Sequence, residues 1–132
     1  MKYLAALTTF VMMVGAAAVL SAAPPGNAVN GAVIFKKCVA CHSIDPSGKN
    51  GLGPNLRGVA GRKAGTVAGF AYSPALKASA LVWNDQNLAR FLAAPRQAVP
   101  GTRMIFIGLP KPQDQADVIA YLKQNSAKGA KQ

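Results

Sequence analysis

The chain has 132 residues and a formal net charge of +11, with 15 Lys and Arg against 4 Asp and no Glu. That length allows one small domain with a modest core. A field of one sign favours acidic protein partners or anionic membrane surfaces, while the aromatic residues do not interleave with the basic ones as a nucleic-acid stacking platform requires, which excludes that class of ligand.

The chain opens with Lys2 and an uncharged, largely apolar run over 3–23 that ends in the small residues Ser21-Ala22-Ala23. A positive start, an apolar middle and small residues at the end read as a secretory signal peptide. Pro24 disfavours cutting directly after Ala23, and an apolar run of about 20 residues can span a bilayer, so an uncleaved membrane anchor is the alternative. Residues 24–132 then form the domain. Without Lys2 it carries 14 Lys and Arg against 4 Asp, a balance of +10.

After the Pro and Gly linker at 24–26, residues 27–37 are predicted as a helix capped by Asn27, with Val29 and Val33 one turn apart on its apolar side. From Ser43 to Phe70 the sequence is rich in Gly and Pro and has no sustained period, which predicts loops. So long an irregular stretch in a small domain needs something to wrap around. Ser73-Pro74 predicts a cap and a first-turn proline opening a short helix to about Ser79. Asn84 predicts a second cap, with Leu88, Phe91 and Leu92 on one face and Pro95 as the stop. A last helix is expected over 112–125, buried along Val118, Ile119 and Leu122 with Tyr121 beside them, before a polar, basic tail at 126–132. No strand pattern competes, so the fold class is all-α: three main helices plus a short one, with long loops.

The segment that carries chemistry is Cys38-Val39-Ala40-Cys41-His42, the spacing that attaches a c-type haem. Two thiols three positions apart each add to a vinyl group, and the adjacent imidazole can bind the iron. The motif uses both cysteines and the only histidine of the chain. Its alternatives are a disulfide or thiol redox pair, which is expected beside a βαβ pattern absent here, and a zinc site, which needs about four ligands. Met104 is the sole methionine outside the leader, and it follows Pro100-Gly101-Thr102-Arg103 in a loop between helices. A methionine usually fills core space, but one on a Pro-Gly loop is a candidate second axial ligand. A thioether opposite imidazole favours ferrous iron and raises the reduction potential. With both axial positions filled no site is open to substrate, and the expected activity is outer-sphere electron transfer, not enzymatic catalysis. The competing reading, a haem enzyme or ligand sensor, needs an open distal position and polar residues there, and the domain has no second His to serve.

Together with Gly53-Pro54-Asn55-Leu56-Arg57-Gly58, Gly61-Arg62-Lys63, Phe70-Ala71-Tyr72-Ser73, Trp83, the run Pro100 to Met104 and Asp117-Val118-Ile119-Ala120-Tyr121-Leu122, this motif resembles the class I cytochromes c of the mitochondrial and alphaproteobacterial type. His42 and Met104 lie 62 positions apart, similar to the uninterrupted form of the family. The resemblance implies a small cytochrome c fold around one haem held by Cys38 and Cys41, with His42 and Met104 on the iron. It implies that Pro54 offers its carbonyl to the other nitrogen of His42, and that Arg62, Tyr72, Trp83 and Thr102 hydrogen-bond the haem propionates. It further implies a monomeric periplasmic carrier, soluble or held at the inner membrane by residues 1–23. Such a carrier shuttles electrons from a quinol-cytochrome c reductase to an acceptor such as a terminal oxidase, and Lys37, Arg96, Arg103 and Lys111 would dock acidic partners around the haem edge. The chain departs from the family pattern at Phe91, where many members place a tyrosine, and at Leu76, where a polar asparagine is common. Both changes predict a drier pocket on the methionine side.

Overall fold

The computed structural model describes residues 22–127. Helix α1 (Ala28–Phe35) opens at Asn27, whose side chain accepts hydrogen bonds from the N–H groups of Val29 (2.9 Å) and Asn30 (3.2 Å). These are donors that a helix start otherwise leaves without partners. The regular helix ends two residues earlier than the sequence predicts. Beyond Phe35 the backbone tightens, with Lys37 N–H bonded to Ile34 O (3.0 Å) and Cys38 N–H to Phe35 O (2.8 Å), the 3₁₀ winding common at helix ends. Val29 and Val33 are 80% and 57% exposed, which corrects the expected apolar side. The buried face is Gly31, Ile34 and Phe35, because that face meets the C-terminal helix α5 (Pro112–Ala127). A Cβ on Gly31 would stand 2.0 Å from the Asp117 carbonyl oxygen and 2.9 Å from the Tyr121 Cβ. Only glycine lets the two helices come this close. Phe35 and Tyr121 then stack at 5.1 Å and 48°.

Helix α2 (Pro74–Ala78) starts as predicted, with the Ser73 hydroxyl accepting from Leu76 N–H at 3.2 Å and proline in the first turn. In α3 (Asp85–Ala93) the Asn84 side chain accepts from Asn87 N–H at 2.8 Å, and Leu88, Phe91 and Leu92 are buried. Asp85 in the first turn complements the positive end of the helix dipole. Pro95 does more than stop α3. Ala94 before it is extended (φ −156°, ψ 82°), and Pro95 is the first residue of a further turn, α4 (Pro95–Ala98), closed by bonds from Gln97 and Ala98 N–H to Ala94 O. Proline's fixed φ suits a helix start, and its missing N–H costs nothing there. The expected single short helix is therefore two. Helix α5 runs two residues past its predicted end, and Asp117, Val118, Ile119 and Leu122 are its buried residues.

Among the described residues there is no multi-residue strand. The loop over 61–64 is tied to 81–83 by Gly61 N–H to Trp83 O, Trp83 N–H to Arg62 O and Ala64 N–H to Leu81 O (2.8–2.9 Å), around an isolated Lys63–Val82 bridge. Ile34, Phe35, Val59, Trp83, Leu88, Phe91, Leu92, Leu109, Val118, Ile119 and Leu122 form the core. Burying each such side chain contributes roughly 1.5–3 kcal/mol. Among the described residues no helix is long and apolar enough to cross a membrane. The expected leader falls outside the described residues except for Ala22 and Ala23, as does most of the basic tail.

One carboxylate fastens the start of α1 to α5. Asp117 is 2% exposed and accepts from Asn27 N–H (2.7 Å), from the Asn30 amide and from Gln113 Nε2 (2.8 Å). Gln113 Nε2 also donates to Pro25 O at 2.9 Å. The Asn27 N–H, followed by the Asn30 and Gln113 amides, holds the Asp117 carboxyl below its ordinary value, against the opposing effect of burial. A carboxyl lowered in the folded state stabilises the fold at pH above its unfolded value, and that contribution is lost as pH falls through the folded value. Asp117→Asn is expected to lower the melting temperature at pH 7 and to flatten the acid limb of stability below about pH 4. Circular dichroism melts across pH check this, and an acid limb as steep as in the natural protein would rule out the assignment.

Candidate functional site around His42

The end of α1 folds the cysteine motif into one turn. The Cys38 carbonyl accepts from both Cys41 N–H (3.1 Å) and His42 N–H (2.9 Å), and residues three apart in such a turn share a face. Neither cysteine is in a disulfide; Cys38 is half-buried and Cys41 exposed. Burial pushes the Cys38 thiol up, Lys37 opposes this, and Cys41 adds to it. Among the described residues no three His, Cys, Asp or Glu gather into a metal-binding cluster.

His42 is held from two sides. Its Nδ1 lies 2.7 Å from the Pro54 carbonyl oxygen. A carbonyl only accepts, so the ring proton sits on Nδ1 and the lone pair of Nε2 is left for a metal. Burial lowers the His42 pKa, which favours the neutral ring, and the Pro54 bond partly opposes it. On the other side is Gly53, where a Cβ would stand 2.4–2.8 Å from three atoms of the imidazole. The sequence reading gave Gly53 no role, although its place directly before Pro54 was the available signal.

A second group gathers Arg62, Tyr72 and Trp83. The Arg62 guanidinium donates to Arg57 O at 3.0 Å and to Asn55 O at 3.4 Å, and burial lowers its pKa while Tyr72 opposes this. Tyr72 is buried, and its hydroxyl accepts from Val67 N–H at 3.3 Å. Desolvation pushes the phenol up, against the Val67 bond and Arg62. Trp83 packs on Phe91 at 5.0 Å and 58°. In the third group Met104 N–H donates to Thr102 Oγ1 at 3.3 Å, and Thr102 N–H to Val99 O at 3.0 Å. Met104 is half-buried and packs on the same core as Cys38, Leu56 and Leu76. Both departures from the family pattern, Phe91 and Leu76, belong to this apolar cluster.

These residues fit a covalent haem. The thiols are free, the imidazole presents an unprotonated nitrogen, and the core they border is apolar and includes a thioether. Lys37, Arg96, Arg103 and Lys111 are all exposed. Arg96 also lines a shallow cleft of about 390 Å³ with Ala94, Gln97, Ile105 and Phe106. Ile105 and Ile107 stand almost fully exposed there, an apolar pair that the sequence reading missed. Gly53→Ala is expected to cost the haem-loaded protein about 1–3 kcal/mol, the usual penalty for overpacking, and to lower the fraction that matures with haem. Denaturant melts of the purified variant measure the first and haem absorbance per protein the second, and natural stability would contradict the close approach to His42.

Comparison with known proteins gives a consistent picture. The family model described as Cytochrome c matches residues 28–126. Cytochrome c of Gossypium barbadense is 50% identical over 106 residues, covering 80% of this chain and 96% of that protein. Cytochrome c2 of Rhodomicrobium vannielii is 48% identical over 114 residues, covering 85% and 91%. The structure of cytochrome cH from Methylobacterium extorquens superposes with a TM-score of 0.72 at 47% identity, covering 75% of this chain and 99% of that one. A match that runs from the first residue of α1 almost to the end of α5, on a chain that folds alike and keeps both cysteines in the family spacing, makes this protein a member of the cytochrome c family, an electron carrier that binds haem c covalently.

Proposed function

We propose that the protein is a periplasmic single-electron shuttle whose haem, joined to Cys38 and Cys41, takes His42 and Met104 as axial ligands. The observation that carries this is the 2.7 Å bond between His42 Nδ1 and Pro54 O, which commits one ring nitrogen to the backbone and frees the other at the end of the cysteine turn. The haem supplies a one-electron couple between ferric and ferrous iron; the protein supplies the ligands and the surroundings. Met104 sits in a loop whose backbone is held by Thr102, which supports it as the second ligand. Arg62, Tyr72 and Trp83 receive the propionates, with Thr102 assisting. This is supported by a cation that burial has already desolvated and by a phenol that accepts from Val67 and so keeps its own proton to donate.

Electrons pass between a quinol-cytochrome c reductase and a terminal acceptor such as cytochrome c oxidase, with encounter steered by Lys37, Arg96, Arg103 and Lys111. Residues 1–23 export the protein and are then removed, or else hold it at the inner membrane; the intact mass of the native protein distinguishes the two.

Visible spectra of the natively matured protein, oxidised and reduced, with a pyridine denaturation step, test the ligation. Expected are a c-type pyridine spectrum and the weak long-wavelength ferric band of methionine ligation, lost in Met104→Ala together with a gain of carbon monoxide binding. Ready carbon monoxide binding by the natural protein would move it to the enzymes or sensors. Docking is tested by turnover with partner complexes at limiting carrier. Turnover is expected to fall steeply as ionic strength rises from 0.1 to 1 M and the screening length shrinks from about 10 to about 3 Å; indifference to salt would reject the basic ring.

A further inference from the structure

Between the cysteine motif and Arg62 the chain makes a loop with no helix or strand, yet its backbone is closely tied. Gly53 N–H donates to Cys41 O and Leu56 N–H to Ser43 O, both at 2.8 Å. The buried Asn55 donates from Nδ2 to Ser43 Oγ at 2.6 Å and accepts from Arg57 N–H at 2.8 Å. The peptide unit joining Pro54 to Asn55 has both of its polar ends engaged. Its carbonyl oxygen accepts from His42 Nδ1–H at 2.7 Å, and its N–H donates to Asn50 Oδ1 at 2.9 Å. Asn50 in turn donates from Nδ2 to Ala68 O at 3.1 Å. The partners leave no doubt about which way the Asn50 amide faces, since a backbone carbonyl only accepts and a backbone N–H only donates.

We infer that Asn50 is a positioning residue for the electron-transfer centre: through the planar Pro54–Asn55 peptide it sets the strength of the hydrogen bond to His42, and thereby the reduction potential. The inference rests on His42 being an iron ligand, as proposed above. The peptide is rigid, so an acceptor that fixes the N–H end also fixes the tilt of the carbonyl at the other. Pro54 has no N–H of its own with which to anchor the turn, which leaves that task to its neighbours. Hydrogen bonds arranged head to tail polarise one another, so the Asn50 acceptor makes the Pro54 oxygen a stronger acceptor for the imidazole. A stronger bond at Nδ1 makes the ring a more basic ligand, and a more basic ligand favours the ferric state.

Asn50→Ala removes the acceptor. The potential is expected to rise, so that the ferric-to-ferrous ratio at a fixed solution potential falls about threefold, roughly 28 mV at 59 mV per tenfold for one electron. The His42 Nδ1 proton, followed by NMR in the reduced protein, is expected to move upfield and to exchange faster. Asn50→Asp keeps an acceptor for Asn55 N–H while losing the donor to Ala68, and is expected to hold the His42 Nδ1 proton at or downfield of its natural position. Ser47→Ala, which loosens the exposed outer side of the same loop, is expected to lower the melting temperature without moving either readout. An Asn50→Ala protein that is less stable but has an unchanged potential and Nδ1 resonance would overturn the inference. So would an Asn50→Asp protein whose Nδ1 proton shifts as in Asn50→Ala, because the tether to Ala68 would then be what matters. Should Asn50→Ala fail to fold, the Nδ1 proton of Asn50→Asp decides alone, its retention supporting the relay and its loss refuting it. A natural protein lacking histidine-ligated haem sinks the functional reading instead, and the first spectrum reveals that before any variant is compared.

Discussion

Everything at the site depends on two helices crossing closely at Gly31, the one position of the contact face of α1 that carries no side chain. Gly31 faces the carbonyl of Asp117 at a separation that no Cβ could occupy, and Asp117 turns its carboxylate back to hold Asn27 and Asn30 at the start of α1. The first and last helices of the domain are thereby fixed to each other at close range. Because the cysteine turn follows directly from the last residues of α1, the position of Cys38, Cys41 and His42 is inherited from this contact. A domain of this size has little apolar surface to spare, and long-range fixing of its two ends is what lets the intervening loops be irregular.

Those loops are ordered by different means. Their backbone is satisfied by side-chain amides and hydroxyls and by stray backbone pairs, and among the described residues no buried side-chain polar atom is left without a partner. Asn55 and Ser43 do for residues 43–57 what a strand ladder does elsewhere. Fully satisfied polar networks of this kind specify one arrangement, whereas a partly satisfied one carries a penalty for each orphaned group. The consequence is a rigid frame around the imidazole, built where the sequence shows an irregular stretch rich in Gly, Pro and Asn.

That difference explains what could be read in advance. Ser73, Asn84 and Pro112 mark helix starts with residue types whose effect is local, so α2, α3 and α5 begin where the sequence places them. The cysteine motif is equally plain, since its chemistry depends on spacing within five residues. Val29 and Val33 mislead because a helical period shows that a face exists but not which face meets a partner; the choice was made by Gly31, a residue with no hydrophobicity to advertise. The one-turn α4 is too short for any period to register, and Pro95 was legible as a stop but not also as a start. Asn50 and Asn55 stay hidden for another reason. Most of their partners are backbone groups, some of them remote along the chain, such as Ala68 O for Asn50, and backbone groups leave no trace in residue identity.

On the ligation proposed above, the way His42 is seated bears on the speed of electron transfer. In an electron carrier the barrier to transfer grows with how far atoms must shift when the charge on the centre changes. An imidazole pressed against Gly53 on one side and bonded to a peptide that is itself secured at its far end has little distance to travel. With His42 on the iron, as proposed above, so tight a loop favours a low reorganisation cost, because the ring is already held before the electron arrives.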